Sequence, residues 1–238
     1  MNIVIISGAG LSAESGISTF RDADGLWETY DVMQVCSRQG WAADRALVTE
    51  FYNARRHDLE DKIPNHAHKV LASLEQRYPN KIIHLTQNVD NLMERAGARE
   101  VIHLHGTLTE LRCEQCHQTW EIGYRAQRND ERCPHCGSQH VRHNVVMFGE
   151  AAPNYRYIYK SLEACGVFIA IGTSAQVIDV VPMVRECQHS ILINPRKEPY
   201  VTSFGDFETT IDHYFEHFIQ SKAGDAMEPM MALLERYM

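Results

Sequence analysis

Five short apolar runs constrain the fold of this chain more than any other feature: Ile3 to Ile6, Ile82 to Leu85, Val101 to Leu104, Val167 to Ile171 and Ile191 to Ile193. They are rich in isoleucine and valine and lack a period-two alternation of apolar and polar residues. A strand that is apolar on both faces must be covered on both, and a parallel sheet between two helical layers does this. Helical patterns lie between or after the runs, at Asp44 to Asp61, Asn65 to Tyr78, Asp90 to Ala96, Tyr155 to Ala164, Val177 to Cys187 and Ala226 to Met238. The expected class is α/β, with a doubly wound, Rossmann-like, mostly parallel sheet.

Two segments break the alternation of strand and helix. One runs from Gly25 to about Asn65 and is helical and aromatic; the other runs from about Thr109 to Asn144, is polar, and holds four of the seven cysteines. Those four form two Cys-x-x-Cys pairs, Cys113 with Cys116 and Cys133 with Cys136, sixteen residues apart. That spacing is a zinc pattern, and four thiolates close a tetrahedral shell, so the expected Zn2+ is structural, one per chain. Two redox pairs are the alternative, but neither begins a thioredoxin-like helix. The expected smaller domain, a helical module plus a zinc ribbon, takes residues 26–65 and 109–146, and residues 1–25, 66–108 and 147–238 form the Rossmann-like domain. Cys36, Cys165 and Cys187 are isolated, and small buried apolar residues are the default reading for the last two.

Bulk properties exclude several classes. No apolar run approaches the roughly 20 residues of a membrane span, and the net charge of -8 without a basic cluster gives nothing to attract nucleic acid. The opening Asn2 to Ser7 reads as a strand feeding a glycine turn rather than as a secretory leader, which points to the cytoplasm. The expectation is a monomer without nucleic-acid or membrane partners.

Gly8-Ala9-Gly10-Leu11-Ser12-Ala13 follows that strand and is expected to open a short helix, matching the fingerprint of a dinucleotide turn. A hydride-transfer domain continues into a second strand that ends in Asp or Glu about 20 residues on. Here the chain continues as the polar loop Ile17 to Trp27, in which Phe20 and Arg21 either screen a sugar and meet phosphate or stand on a surface loop with the arginine solvated, the better reading for a lone Phe-Arg pair. A Rossmann NAD(P)-dependent oxidoreductase and a noncatalytic zinc-ribbon binding module remain as alternative readings.

Three further clusters carry chemistry. Gln87, Asn88 and Asp90 stand at the carboxyl end of the second run, where open α/β sheets bind ligands, although an Asx residue there also caps helices. His103 and His105 share one face of the third run; His105, at the strand end beside Gly106, is the better general base, and His103 reads as structural. Tyr52 and Arg55 share a helix face, either as an anchor beside a solvated cation or as a clamp for an anionic group.

The glycine turn with Ser15-Gly16-Ile17 and Phe20-Arg21, then Thr86 to Asp90, His105-Gly106, the four cysteines, Phe148-Gly149-Glu150, Gly172-Thr173-Ser174, Ile193-Asn194 and Gly224-Asp225-Ala226 resemble, in order, the motifs of the sirtuins. These are NAD-dependent protein lysine deacylases, and the resemblance, to the class III-like bacterial type, covers nearly the whole chain. It implies that Gly8, Ala9, Gly10, Ser12, Ala13, Ile17, Phe20 and Arg21 bind NAD, that Gln87 and Asn88 contact the nicotinamide ribose, and that Asp90 contacts the carboxamide. It gives Gly172, Thr173, Ser174, Asn194 and Ala226 to the far half of NAD, and Phe148, Gly149 and Val177 to the substrate peptide. It makes His105 and Asn88 catalytic: the acyl oxygen of a modified lysine attacks the ribose C1′ as nicotinamide leaves, and His105 helps deprotonate a ribose hydroxyl. The products are free lysine, nicotinamide and O-acyl-ADP-ribose, with acylated-lysine proteins as partners. Tyr52 and Arg55 resemble the pair that holds succinyl or malonyl carboxylates, which implies desuccinylase and demalonylase activity, with deacetylation alongside. Cys36 stands where that branch carries a small residue, usually Ala; Met147 replaces a common Trp, and Asn91-Leu92-Met93 falls where relatives often have His.

Overall fold

The computed structural model describes residues 1–18, 30–201 and 208–238. In chain order the strands are β1 (Asn2–Ser7), β2 (Ile82–Thr86), β3 (Val101–His103), β4 (Gly106–Cys113), β5 (Thr119–Glu121), β6 (Val141–Val145), β7 (Cys165–Ile171), β8 (His189–Asn194), β9 (Pro199–Val201), β10 (Glu208–Thr210) and β11 (His217–Gln220). The helices are α1 (Val32–Val35), α2 (Arg38–Ala43), α3 (Arg45–Glu60), α4 (His66–Arg77), α5 (Leu92–Arg95), α6 (Arg156–Leu162), α7 (Val181–Val184) and α8 (Met227–Tyr237). None of the described helices is long and apolar enough to cross a membrane.

Six strands form one sheet in the order β11-β8-β7-β1-β2-β3, and every pair in it is parallel. Read from β3, this is the doubly wound order in which the winding reverses between β1 and the next strand outward. The pleat divides the apolar runs between two cores. Ile3, Ile5, Val167 and Ile169 face a layer containing α4 and α8, whereas Val4, Ile6, Phe168 and Ala170 face α6 and α7. Double-sided burial is why these strands read as unbroken apolar runs. The sixth strand, β11, escapes such a reading because it is a half-buried edge of mixed character.

Helix ends follow local chemistry. Asp44 caps α3 by accepting from the Leu47 N–H, and Asn65 caps α4 in a reciprocal box in which the His68 ring accepts from the Asn65 N–H. The pattern over Val177 to Cys187 shrinks to α7, where the exposed Asp179 carboxylate accepts from the Val181 N–H and Pro182 supplies no N–H. The glycine turn is followed by two 3-10 turns, Ala9–Leu11 and Ala13–Ser15, in place of the expected short helix; Gly16, at φ 76°, ends the second.

The remaining elements build a second body of packing. Strands β5-β4-β6 form an antiparallel sheet with its own core around Leu111, Ile122 and Val141. Helices α1 to α3 pack on its near end through Val35, Trp41, Val48, Phe51 and Tyr52 against Leu108, Val145 and Met147. Arg56 is fully buried beneath them, and its Nε donates to the Leu108 carbonyl. The chain enters this body at Gly106, whose φ of 79° turns it from β3 into β4. A side chain there would meet the Asn144 carbonyl at 2.0 Å.

Candidate active site

The ends of β1 and β7 meet at a point of near contact between backbones. A Cβ on Gly10 would lie 2.7 Å from the Gly172 Cα, and one on Gly172 would lie 2.5 Å from the Leu11 nitrogen. The Gly8 and Gly10 N–H groups donate to the carbonyls of Ile171 and Gly172, both at 2.9 Å, and splice the two loops together. Glycine is required here first by the crossing of the chain with itself, which lays Ala9, Ser12 and Ala13 along the floor of a cleft of about 1220 Å³.

Strand-end side chains line the same floor and hold one another. Ser12 donates to the Asp90 carboxylate at 2.8 Å and accepts from Asn88 at 3.2 Å. Asp90 also accepts from the Leu92 N–H; burial pushes its carboxyl up, and these two donors pull it back. Gln87 donates to the Thr173 hydroxyl at 3.1 Å, and Asn194 donates to the Thr173 carbonyl at 2.7 Å, joining the ends of β2, β7 and β8. Ile17, Gly172 and Ser174 also line the cleft. Ala226 lies outside it, fully buried at the start of α8, and Phe20 and Arg21 fall outside the described residues.

The pKa values of the two histidines of the third run shift in opposite directions. His103 places Nδ1 against the Asn88 carbonyl at 3.0 Å and Nε2 against the Glu94 carboxylate at 2.7 Å, so both nitrogens must carry protons. Burial alone would lower its pKa, but the Glu94 carboxylate and the Asn88 carbonyl raise it, which leaves both ring nitrogens engaged and makes His103 the poorer proton acceptor. His105 has only one such acceptor: its Nδ1–H donates to the Gln87 carbonyl at 2.9 Å, and its Nε2 faces the Tyr155 hydroxyl at 2.8 Å. Burial, opposed by the Gln87 contact, lowers its pKa, so the ring is neutral with Nε2 as acceptor.

Across the cleft, Cys36, Tyr52 and Arg55 come together from the α1 end and α3. The Tyr52 hydroxyl donates to the Cys36 sulfur at 3.4 Å, and its ring stacks on His143 at 3.8 Å between centroids. Burial pushes the Tyr52 phenol well up and the Cys36 thiol up to about 11, so both are neutral. The Arg55 guanidinium lies 4.4 Å over the Phe51 ring, and Asp58 lines the same wall. His143 is fully buried and held neutral, first by desolvation and then by Arg142, Arg56 and Arg112.

Between these walls runs the Phe148 loop. Its backbone is already paired, with the Phe148 N–H donating to the Cys36 carbonyl at 2.8 Å and its carbonyl accepting from Arg38 at 2.9 Å. What Phe148 offers the cleft is therefore its ring, which is 43% exposed; Gly149 and the exposed Val177 lie beside it. Glu150 shapes the loop by accepting from the Met147 N–H and from the fully buried Arg142, at 2.6 Å. Met147 and Met93, two departures noted in the sequence, are buried core residues, and Asn91 pairs with the Tyr124 hydroxyl.

The cysteines fit zinc. Their four sulfurs lie within 4.8 Å of one another, with Cys113 to Cys136 and Cys116 to Cys133 both at 3.6 Å. A tetrahedron with arms of about 2.3 Å has edges of about 3.8 Å. The two loops repeat one geometry, with His117 at φ 60° bonding back to the Cys113 carbonyl and Gly137 at φ 75° to that of Cys133.

Sequence reasoning passed over Arg142, and over Tyr155 and His143, whose partners lie far away along the chain. It also passed over Glu14, whose carboxylate accepts from the Gly224 N–H at 2.7 Å and ties the turn to the residues before α8.

Comparison with known proteins agrees with this layout. The Sir2 family model matches residues 8–179. An NAD-dependent protein deacylase of Campylobacter jejuni subsp. jejuni serotype O:2 is 43% identical over 237 residues, spanning 100% of this chain and 97% of that protein. One of Helicobacter pylori is 43% identical over 199 residues, 81% of this chain and 82% of its own length. A solved Sir2 homologue in complex with NAD superposes with a TM-score of 0.82 at 34% identity, covering 99% of this chain and 90% of that one. With a family match of this extent and a full-length relative at 43% identity, the chain belongs to the Sir2 family, the sirtuins.

Proposed function

We propose that this protein is an NAD-dependent protein lysine deacylase whose pocket favours succinyl and malonyl groups while retaining deacetylation. The observation that carries the reading is that one cleft joins a neutral His105 at the sheet end to Tyr52 and Arg55 on the facing wall. Residues 1–25, 66–108 and 147–238 would hold NAD, and residues 26–65 and 109–146 would supply the acyl wall and the zinc ribbon. Its reduced cysteine pairs suit the cytoplasm.

NAD supplies an electrophilic anomeric carbon, nicotinamide as leaving group and a ribose that carries the acyl group away. The floor built by Gly8 to Ala13, with Thr173, Ser174 and Asn194, holds its diphosphate and adenosine end. Gln87, Asn88 and Asp90 orient the ribose and carboxamide, and Asn88 keeps its place through Ser12. His105 takes a ribose proton on Nε2, while the Gln87 carbonyl holds its other nitrogen and fixes the tautomer. The Phe148 ring and Val177 flank the lysine, whose acyl tail points to Arg55. With Tyr52 and Cys36 both neutral, Arg55 gives that wall positive charge for a terminal carboxylate, and Tyr52 can turn its donor from sulfur to oxygen.

Matched acetyl, succinyl and malonyl peptides test the choice of acyl group. Arg55→Met is expected to lower kcat/KM on the two acidic peptides by about 10- to 100-fold and to spare the acetyl peptide. An equal loss on all three would refute the carboxylate clamp.

A further inference from the structure

We propose that Tyr155 caps the His105 base in the co-substrate-free enzyme: its hydroxyl holds the ring nitrogen that must receive the ribose proton and gives way when the sugar hydroxyl arrives. The inference rests on His105 being the base, and it adds a positioning residue that the motif series does not contain.

The direction of the contact follows from valence. A carbonyl only accepts, so the Gln87 oxygen at 2.9 Å fixes the proton on His105 Nδ1. Nε2 then has one lone pair and no hydrogen, and the phenol 2.8 Å away must donate to it. Burial raises the Tyr155 pKa, which keeps that proton on oxygen. One lone pair serves one strong donor, so a ribose hydroxyl can pass its proton to Nε2 only after the phenol has swung aside. The sugar O–H bond then breaks as the N–H bond forms, and Tyr155 keeps its own proton throughout.

The contact is built from both sides. Tyr155 ends the 3-10 turn Pro153–Tyr155 just before α6, and its ring rests on the core beneath. Beside it, Asn154 donates to the His103 carbonyl at 2.8 Å, two residues before the base on the same strand end. The turn carrying the cap is therefore pinned to the strand carrying the base. Tyr155 also lines the cleft, so its hydroxyl has space to move into.

Two consequences separate a cap from simple packing. A hydrogen bond donated to the neutral ring favours that form, so its loss makes His105 easier to protonate. A contact that must break before the sugar can engage weakens the apparent affinity for co-substrate. Tyr155→Phe removes only the oxygen. In the ligand-free protein, the NMR titration of the His105 ring is expected to move up by about half to one pH unit, and the acid limb of kcat/KM is expected to follow it. KM for NAD is expected to fall by about three- to tenfold with kcat within about twofold. Asn154→Ala, which loosens the turn without touching the phenol, is expected to shift the ring in the same direction by less. An unmoved titration in Tyr155→Phe would overturn the cap, and so would a fall in kcat at constant KM, which would make the phenol a proton carrier. Turnover that survives His105→Ala would overturn the base assignment and the cap with it, whereas the ring titration reads the contact alone.

Discussion

The floor of the cleft and the wall of Cys36, Tyr52 and Arg55 belong to one cleft, yet they are specified by different means. The floor is a backbone construction: Gly8, Gly10 and Gly172 let two loops touch, and the polar ends of β2, β7 and β8 are bonded to one another above them. The wall is a side-chain construction, in which Tyr52 bonds to Cys36 and stacks on His143 from β6 while Arg55 lies over Phe51. A backbone crossing tolerates almost no substitution, whereas a wall of side chains can be changed residue by residue without disturbing the sheet. Under the proposed function, the reaction is anchored in the floor, and the choice of acyl group in the wall.

Replacements on the floor should damage every substrate alike. His105→Ala is expected to lower kcat about 10²- to 10⁴-fold on acetyl and succinyl peptides equally, with the circular dichroism spectrum unchanged. Loss on one acyl class alone would break the division. Gly172→Ala forces a left-handed residue, φ 64°, and a Cβ 2.5 Å from the Leu11 nitrogen. It is expected to cost about 2–4 kcal/mol in a denaturant melt. Removing the metal with a chelator is expected to act on the wall side. The ribbon reaches the Phe148 loop through Arg142, which is bonded to Glu150 and lies 3.8 Å from Glu114 beside Cys113. KM for peptide should rise, while NAD affinity measured by calorimetry should hold.

The smallest effects are those of pH. Because the folded pKa of His105 lies below 6.5, its base form persists through neutrality, and log kcat/KM should bend downward only below pH 6.5, for every acyl group. Stability should follow His68, whose pKa burial lowers from 6.5 to about 4 in the fold. The unfolded chain binds that proton first as pH falls, so stability is intact above pH 6.5 and is lost between 6.5 and 4. A thermal melt flat across that window would contradict the buried neutral ring.

The floor was largely legible in the sequence and the wall much less so. Strands covered on both sides are recognisable as unbroken apolar runs, and polar residues at their carboxyl ends mark a ligand edge, so Gln87, Asn88, Asp90 and His105 were found. The half-buried edge strand β11 carried no such signal. Tyr52 and Arg55 were found through a motif, but the His143 ring beneath Tyr52 lies 91 residues further along the chain, and nothing in its local pattern announces the stack. Tyr155 stood only as the first residue of an expected helix, because its partner His105 sits 50 residues earlier in the turn between β3 and β4. Strand ends can be read locally, whereas contacts between distant side chains become visible only once the chain has folded.

In the proposed reaction NAD is spent as a sugar donor when the acyl group leaves lysine. The direct measurement is a count of free lysine, nicotinamide and O-acyl-ADP-ribose formed from NAD and a succinylated peptide. One of each per turnover is expected, with no reduced nicotinamide. Deacylation that leaves NAD intact would contradict it.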